Sequence, residues 1–392
     1  MILLRATDNG KITLLVLLDL SAAFDTVDHS ILLTRMKKRL GITSTALNWF
    51  QSYLSNRSQL VCINDQTSDA ASLDYGLPQG SCVGPALFPI YTLPLGDVIR
   101  EHDVDYHFYA DDSQLYLSVD PTQEAVDAGI AKLENCVDDV RGWKGDNCLK
   151  LNDSKTEFIV IGSKQQLEKV KISHIRVGAS NIEPSSDIRN LGAMFDTSLT
   201  MEKQITSMSK AACLSLRNIG SIRKYLTKDA AETLIHSFVT SRIDRDNSLL
   251  NGVPNVQLNR LQRLQNMAAR IVTRTKQSEH ITPVLAGLHW LPVEQRVTFK
   301  LCLIVFKCLH GQAPSYLTDL IEVYSPERSG LRSADKGLLQ EHRSKTLWGD
   351  RSFAIGASTL WNSLPEELRL CDDIEIFKSE LKTHLYSKAF EQ

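Results

Sequence analysis

The stretch 108–116 constrains this chain more than any other, because it sets Asp111 and Asp112 between two short, aromatic-rich apolar runs. Aromatic and β-branched residues favour strands, and aspartate tolerates the positive φ of a tight turn. The pattern therefore predicts a β-hairpin with both carboxylates at its tip. Neighbouring carboxylates repel each other, so the pair needs either full hydration or a cation such as Mg²⁺ held between it and other oxygens.

A second acidic position follows a strand predicted upstream. Residues 12–18 form a continuous apolar run, which is typical of a buried central strand, and the run ends at Asp19. A carboxylate at the end of a central strand, facing a hairpin that carries another, is an arrangement that can hold two metal ions. Between the two acidic positions lies the loop GLPQGS at 76–81, whose glycines let the backbone approach a ligand closely.

Three blocks, in this order and spacing, resemble the reverse transcriptases of LINE-type, non-long-terminal-repeat retrotransposons: LDLSAAFDTVDH at 18–29, GLPQGS at 76–81 and YADD at 109–112. The resemblance implies an α+β fold, with a polymerase palm (an antiparallel sheet with packed helices), a helical thumb and a mostly helical C-terminal extension. We assign the palm to residues 1–200, a basic thumb to 201–276 and the extension to 277–392. Family members carry a fingers region ahead of the first block, and many carry an endonuclease before that. We expect this chain to lack both.

The resemblance also implies roles for single residues. Asp19 and Asp111 would ligate two Mg²⁺ ions, one that acidifies the primer 3′-hydroxyl and one that steadies the triphosphate. Asp112 would support the site and ligate weakly. Lys155 would protonate the leaving pyrophosphate as a general acid, although a lysine in such a turn is as often only a surface charge.

Four further residues are candidates for contact with the nucleotide or primer. Phe24 lies five residues after Asp19, where the family has its sugar-sensing aromatic; a flat ring there excludes a 2′-hydroxyl. The alternative for Phe24 is a core side chain. Gln79 and Gly80 would contact the incoming nucleotide and its template base, or else form only a turn before a helix. Tyr109 would pack beside the primer terminus, or simply in the sheet.

Residues 201–276 are strongly basic, with thirteen Lys/Arg against five Asp/Glu, a net charge of +8, whereas the rest of the chain sums to −10. Four arginines in this segment recur at helical spacing and are predicted on one helix face: Arg260, Arg263, Arg270 and Arg274. Such a face is typical either of hydrated surface or of a helix that lies along a nucleic-acid backbone. The excess of positive charge favours the second interpretation.

The composition is that of an ordinary folded protein. A chain of 392 residues, 43% hydrophobic and 23% charged, is long enough for two or three domains and is not typical of disorder. The eight cysteines show no zinc spacing, which indicates reduced thiols in an intracellular protein. The N-terminus has no signal-peptide layout and residues 12–18 are too few to cross a bilayer, so we expect no membrane association.

The sequence therefore predicts an RNA-directed DNA polymerase that uses an RNA template, a DNA primer, deoxynucleoside triphosphates and two Mg²⁺ ions. An alternative interpretation stays open: a catalytically incomplete retrotransposon remnant that at most binds nucleic acid. A Mg²⁺-dependent phosphohydrolase built on the same aspartates is a weaker hypothesis, because it would leave the GLPQGS loop unexplained.

Overall fold

The computed structural model describes residues 2–21, 23–325 and 336–391. Ala22 of the first sequence block and residues 326–335 of the predicted extension lie outside these ranges. The chain divides into two compact units. We call Gly10–Ile188 the sheet unit, and the described residues of Met1–Asn9 and Arg189–Gln392 the helical unit. Helices and antiparallel sheets are combined, which confirms the mixed class, while the three-part division into palm, thumb and extension stays a prediction.

The strands are β1 (Ile12–Leu18), β2 (Leu20–Ser21), β3 (Ser58–Gln59), β4 (Cys62–Ile63), β5 (Gln66–Thr67), β6 (Ala71–Ser72), β7 (Asp105–Tyr109), β8 (Asp112–Val119), β9 (Lys150–Leu151), β10 (Glu157–Ile161), β11 (Ile175–Val177), β12 (Ser180–Ile182), β13 (Asp187–Asn190) and β14 (Ala193–Asp196).

The α-helices are α1 (Ile2–Asp8), α2 (His29–Leu40), α3 (Ser44–Leu54), α4 (Gly84–Thr92), α5 (Leu95–Arg100), α6 (Gln123–Asp146), α7 (Lys164–Leu167), α8 (Glu202–Ile222), α9 (Lys228–Ile235), α10 (Ser241–Asp244), α11 (Asn255–Thr273), α12 (Thr282–Gly287), α13 (Val293–Leu309), α14 (Ser315–Thr318), α15 (Leu347–Asp350), α16 (Ser358–Asn362), α17 (Glu366–Arg369) and α18 (Ile374–Phe390).

The sheet unit is built on a four-stranded antiparallel sheet in the order β10-β1-β8-β7. β1 has a hydrogen-bonded neighbour on each side, and Ile12, Leu14 and Val16 are fully buried. This confirms the central strand predicted from the apolar run, because a strand that is covered on both faces has no reason to alternate apolar with polar residues.

Helix α6 packs on this sheet at short range. A Cβ at Gly129 would lie 3.0 Å from the Val119 Cγ1 atom and 3.2 Å from the Leu14 Cδ1 atom, so the small residue sets how closely helix and sheet approach. The sequence predicts this helix over 125–143, and the structure extends it to Gln123–Asp146. The longer C-terminal end places Lys144 on the buried face.

Side chains bond backbone amide groups near the starts of α2 and α4. The Asp28 carboxylate accepts from the Ser30 amide at 2.8 Å and fixes the start of α2, three residues after the predicted start at 26. Gly41, with φ +66°, ends this helix. The Ser81 hydroxyl accepts from the Gly84 amide at 2.9 Å, and Val83 is the N-cap residue of α4.

The helical unit has one hydrophobic core, to which α8, α11, α13 and α18 all contribute. Leu216, Leu264, Phe306 and Phe377 are almost completely buried, and the rings of the last two stack with their centroids 4.4 Å apart. The core draws on both of the residue ranges 201–276 and 277–392. None of the helices in the described ranges combines the length and the apolar character that crossing a membrane requires.

The N-terminal helix α1 belongs to the helical unit and packs on α15. Asp8, only 8% exposed, accepts hydrogen bonds from the Thr346 amide at 2.7 Å, the Thr346 hydroxyl at 2.8 Å and the Lys345 amide at 3.0 Å. One carboxylate therefore satisfies the backbone at the start of α15, although it lies more than three hundred positions away in the sequence.

We expect Asp8→Ala to lower the free energy of unfolding of the helical unit by roughly 1–3 kcal/mol, because the amides of Lys345 and Thr346 lose their acceptor. Urea denaturation followed by tryptophan fluorescence measures this change. Asp103→Asn is the control, since the Asp103 side chain is 90% exposed in a surface ion pair with Lys132 and asparagine tolerates the φ of +45° at this position. An Asp8→Ala midpoint equal to that of the parent chain would contradict the assignment.

Candidate active site

Asp19 is the first residue after β1. Its carbonyl oxygen accepts from the Asn152 amide at 3.0 Å, which holds the turn containing Lys155 against the end of the strand. The Lys155 Nζ atom lies 3.4 Å from the Asp19 Oδ2 atom. This ion pair lacks hydrogen-bond geometry, so among the described residues the buried Oδ2 atom has no hydrogen-bond partner. Asp19 therefore presents a carboxylate oxygen whose bonding capacity the chain itself does not use.

The predicted hairpin is confirmed: β7 and β8 pair with Tyr109 opposite Asp112, which leaves Ala110 and Asp111 as a two-residue turn. The sequence pattern predicts the positive φ of this turn on an aspartate. In the structure it falls on Ala110, with φ +53°. Asp111 therefore lies at the tip, and Asp112 is the first residue of β8.

The strand register brings the acidic side chains together. Leu18, the last residue of β1, pairs with Ser113, so Asp19, which follows it, comes beside Asp112. Burial raises the pKa of Asp112, and the negative charges of Asp111 and Asp19 raise it further. Mutual repulsion of this kind is what a carboxylate cluster produces when no cation screens it. The structure thus gathers the three acids predicted from the sequence.

A metal ion is compatible with this chemistry. In residues 2–21, 23–325 and 336–391, no three His, Cys, Asp or Glu side chains are already arranged as a metal-binding group. Carboxylate oxygens are nevertheless the ligands that Mg²⁺ prefers, and the Asp19 Oδ2 atom lacks a hydrogen-bond donor. The assignment of Asp19, Asp111 and Asp112 as metal ligands stays a prediction.

Lys144 belongs to this site, although the sequence pattern did not indicate it. It is 1% exposed and donates from Nζ to the Ser113 hydroxyl at 3.4 Å. Burial lowers the pKa of Lys144 to about 8, and the negative charges of Asp19 and Asp111 oppose that shift. The predicted helix ended at residue 143; continuing its apolar face by one turn from Val140 reaches Lys144.

Backbone contacts fix the GLPQGS loop against the first sequence block. Gly76 has φ +89°, and a Cβ there would lie 2.9 Å from the Asp25 carbonyl oxygen, so the approach requires glycine. The His29 Nε2 atom lies 2.8 Å from the Gly76 carbonyl oxygen, and the Leu77 amide donates to the Phe24 carbonyl oxygen at 2.8 Å. The predicted close approach of this backbone is therefore made to the chain itself.

A cavity of about 500 Å³ opens beside the loop. Its lining includes Asp25, Arg57, Tyr75 and Gln79. Gln79 and Gly80 are both exposed, and a Cβ at Gly80 would meet no atom within 4 Å. Arg57 adds a cation to this cavity, and only the folded chain brings it to the loop, because it lies about twenty positions upstream.

Phe24 and Tyr109 have different surroundings. Phe24 is half-buried and stacks on Phe88, with the ring centroids 4.8 Å apart and the planes inclined by 29°. The core contact considered as its alternative role is therefore present. Tyr109, at the end of β7, is 63% exposed, so its ring is not part of the sheet core.

The predicted arginine face is interrupted. Helix α11 ends at Thr273, and Arg274 follows it with a left-handed φ of +59°. The prediction that all four arginines share one helix face is therefore wrong at Arg274. Its Nη2 atom donates to the Arg223 carbonyl oxygen at 3.2 Å, so the side chain is used in closing the helix end.

Two of the other arginines also have partners within the helical unit. Arg260 donates to Gln257 Oε1 at 2.9 Å and to Thr206 Oγ1 at 3.0 Å, and Arg270 donates to two backbone carbonyl oxygens. Arg263 is exposed and, within the described part of the chain, makes no hydrogen bond or ion pair. Of the four, Arg263 is the one most open to an external phosphate.

Comparison with known proteins gives these features a context. Residues 3–195 match the family described as reverse transcriptase (RNA-dependent DNA polymerase). The chain is 24% identical over 304 residues to the probable RNA-directed DNA polymerase from transposon BS of Drosophila melanogaster, covering 76% of this chain and 33% of that protein. It is 26% identical over 196 residues to the RNA-directed DNA polymerase from mobile element jockey of Drosophila funebris, covering 49% and 20% respectively. The chain thus spans a third or less of the length of these relatives.

Among solved structures, telomerase from Candida albicans in complex with a TWJ fragment of telomeric RNA aligns with a TM-score of 0.31 and 12% identity, over 68% of this chain and 48% of that chain. A likeness at that level carries no weight in the assignment. The family match does, because it contains all three sequence blocks and the carboxylate cluster. Residues 3–195 of this chain therefore belong to the reverse transcriptase family, in its LINE-type, non-long-terminal-repeat branch.

Proposed function

We propose that this chain is the polymerising part of an RNA-directed DNA polymerase, which adds deoxynucleotides to a DNA 3′ end opposite an RNA template. The observation that carries the proposal is the cluster of Asp19, Asp111 and Asp112 within residues that match the reverse transcriptase family. The relatives described as RNA-directed DNA polymerases support the same activity. In this proposal residues 1–200 act as the palm, 201–276 as the thumb and 277–392 as a helical extension, in an intracellular setting away from membranes.

Asp19 and Asp111 would hold two Mg²⁺ ions, with Asp112 in support. Asp19 lies at the fixed end of the central strand and offers an oxygen that accepts no hydrogen bond. Burial raises the pKa of Asp112, and the charges of Asp111 and Asp19 raise it further; a cation bound among the three acids would relieve their mutual repulsion. When bound, the ions would supply Lewis-acid activation of the primer hydroxyl and charge neutralisation at the phosphates.

Lys155 would act as the general acid. Its side chain is 67% exposed, and its ammonium group lies 3.4 Å from the Asp19 carboxylate, within reach of any group bound there. As the bond between the α-phosphorus and the bridging oxygen breaks, Lys155 would donate a proton to the leaving pyrophosphate oxygen. The neutral amine then regains a proton from water.

The nucleotide would lie against the GLPQGS loop. Gln79 and Gly80 are exposed there, and Arg57 contributes positive charge to the neighbouring cavity, which suits a triphosphate. Phe24 would set the sugar preference from a ring whose position is fixed by its stack on Phe88. Tyr109, exposed at the end of β7, would pack beside the primer terminus.

The catalytically incomplete remnant remains the second candidate. One observation favours it: among the described residues no three acidic or His/Cys side chains form a ready metal group. A primer-extension assay of the purified chain on a primed RNA template, with Mg²⁺, decides between them. Extension of the primer supports the polymerase, whereas RNA binding without extension supports the remnant.

Asp19→Asn and Asp111→Asn should each reduce primer extension by roughly a hundredfold or more, because a lost carboxylate weakens metal binding where transition-state charge develops. RNA binding, measured by filter retention, should change little. Asp120→Asn is a matched control, since Asp120 is exposed in the loop just after β8. Undiminished extension in either active-site variant would refute the ligand assignment.

Phe24→Val should raise the incorporation of ribonucleotides relative to deoxynucleotides, because the smaller side chain leaves room beneath C2′. Single-nucleotide incorporation measures the ratio. Phe88→Leu disturbs the same ring stack from the core side and serves as the control. If the two variants change the ratio equally, Phe24 acts through packing and not through the sugar.

Arg263→Gln should flatten the slope of log K against log salt for RNA binding by roughly 0.7–0.9, the effect of one lost phosphate contact. Arg274→Gln should change the slope less and the thermal stability more, because this side chain already bonds a backbone carbonyl group. Fluorescence anisotropy across a salt series tests both variants. A slope for Arg263→Gln identical to that of the parent would show that this arginine meets only water.

A further inference from the structure

Lys144 is a positive charge enclosed in the interior of the sheet unit. Its side chain is 1% exposed, and among the described residues its one direct hydrogen bond goes to the Ser113 hydroxyl at 3.4 Å. An uncharged hydroxyl compensates little of the cost of burying an ammonium group, which needs negative charge nearby. The surroundings of Ser113 supply that charge.

Ser113 lies between the acidic positions of the cluster. It directly follows Asp112 in β8 and pairs with Leu18, the residue before Asp19. The Lys144 ammonium therefore reaches, from α6, the short strand segment that connects the acids. Asp19 and Asp111 both favour its charged form.

Lys155, the other cation of the site, differs from Lys144 in its exposure to solvent. Its side chain is 67% exposed and its ion pair with Asp19 has no hydrogen-bond geometry, so it can move away without cost to the fold. Lys144 cannot leave its position unless α6 separates from the sheet. Its charge therefore acts on the carboxylates from a fixed position, and in surroundings of low dielectric constant.

We propose that Lys144 is a built-in counter-ion of the carboxylate cluster, which holds Asp19 and Asp111 together without a metal ion and weakens the binding of divalent cations to them. The second half of this statement rests on the proposed function, since it treats these aspartates as metal ligands. Lys144 is a positioning residue in this proposal and touches neither substrate nor metal. A fixed positive charge beside the site adds to the repulsion that an entering cation must overcome.

The first experiment measures cation binding to the full chain. Lys144→Met removes the charge and keeps an unbranched side chain of similar length. Mn²⁺ binding, followed by electron paramagnetic resonance with Mg²⁺ as competitor, should become roughly tenfold tighter or more. Lys132→Met on the same helix is the control, because Lys132 pairs with the exposed Asp103 and should leave the affinity unchanged. An unaltered affinity in the Lys144→Met chain would overturn the proposal.

The second experiment is independent of metal binding and of polymerase activity. In EDTA, Asp111→Asn should lower the urea midpoint in the parent chain, because Lys144 loses part of its compensation. In the Lys144→Met background the same change should be harmless or stabilising, since only repulsion with Asp112 is removed. Additive effects would overturn the counter-ion role. If no variant binds Mn²⁺, the two-ion mechanism fails. The double-mutant cycle of Asp111→Asn and Lys144→Met still decides the role of Lys144, because it needs no metal ion.

A third comparison applies should Lys144→Met fail to fold. Asp111 stabilises the charged lysine, whereas burial and the charges of Asp111 and Asp19 disfavour the ionised form of Asp112 and raise its pKa. In EDTA, Asp111→Asn should therefore lower the midpoint and Asp112→Asn should raise it. Equal midpoints for the two variants would count against the proposal.

Discussion

The antiparallel register between β1 and β8 is the constraint on which the candidate site depends. It pairs Leu18 with Ser113, and by doing so it sets Asp19 beside Asp112 at the edge where β1 leaves the sheet. A slip of one residue would turn every side chain of β1 to the opposite face. Close packing opposes that slip, because β1 lies between two strands and its Leu14 fits directly against Gly129 of α6. The packing of β1 therefore fixes the register, and the register fixes the positions of the Asp19 and Asp112 carboxylates.

Bringing three carboxylates together costs electrostatic free energy. Two lysines offset this cost, one exposed to solvent and one buried. Lys155 reaches Asp19 from the solvent side with a side chain that is 67% exposed, so screening by water keeps the interaction weak. Lys144 approaches from the protein interior, where the lower dielectric constant strengthens every interaction and a hydrogen bond to Ser113 holds the ammonium in place. A group on the solvent side can exchange with substrate and solvent, whereas the buried one is a permanent part of the cluster.

Some arginine side chains of the helical unit bond the chain's own backbone. Arg223 donates from Nε to the Ile271 carbonyl oxygen and from Nη2 to that of Val272, both at 2.7 Å, and so satisfies carbonyl groups that the end of α11 leaves unpaired. Arg274 bonds back to Arg223 itself. A count of basic residues in 201–276 therefore overstates the surface available to phosphates, because several guanidinium groups already bond the chain's own carbonyl oxygens.

The sequence by itself determined the elements whose signals are local. The apolar run before Asp19 predicted a buried strand, the aromatic runs around Asp111 predicted the hairpin, and the three blocks carried the resemblance to the family. Tertiary structure alone decided that Lys144 bonds Ser113 beside the acids, that Arg57 lines the loop cavity, and that Asp8 bonds the backbone just before a helix near the other end of the chain. Local patterns show which face of a helix or strand is buried, but not which distant residue that face meets, because folding joins positions whose separation in sequence carries no such information.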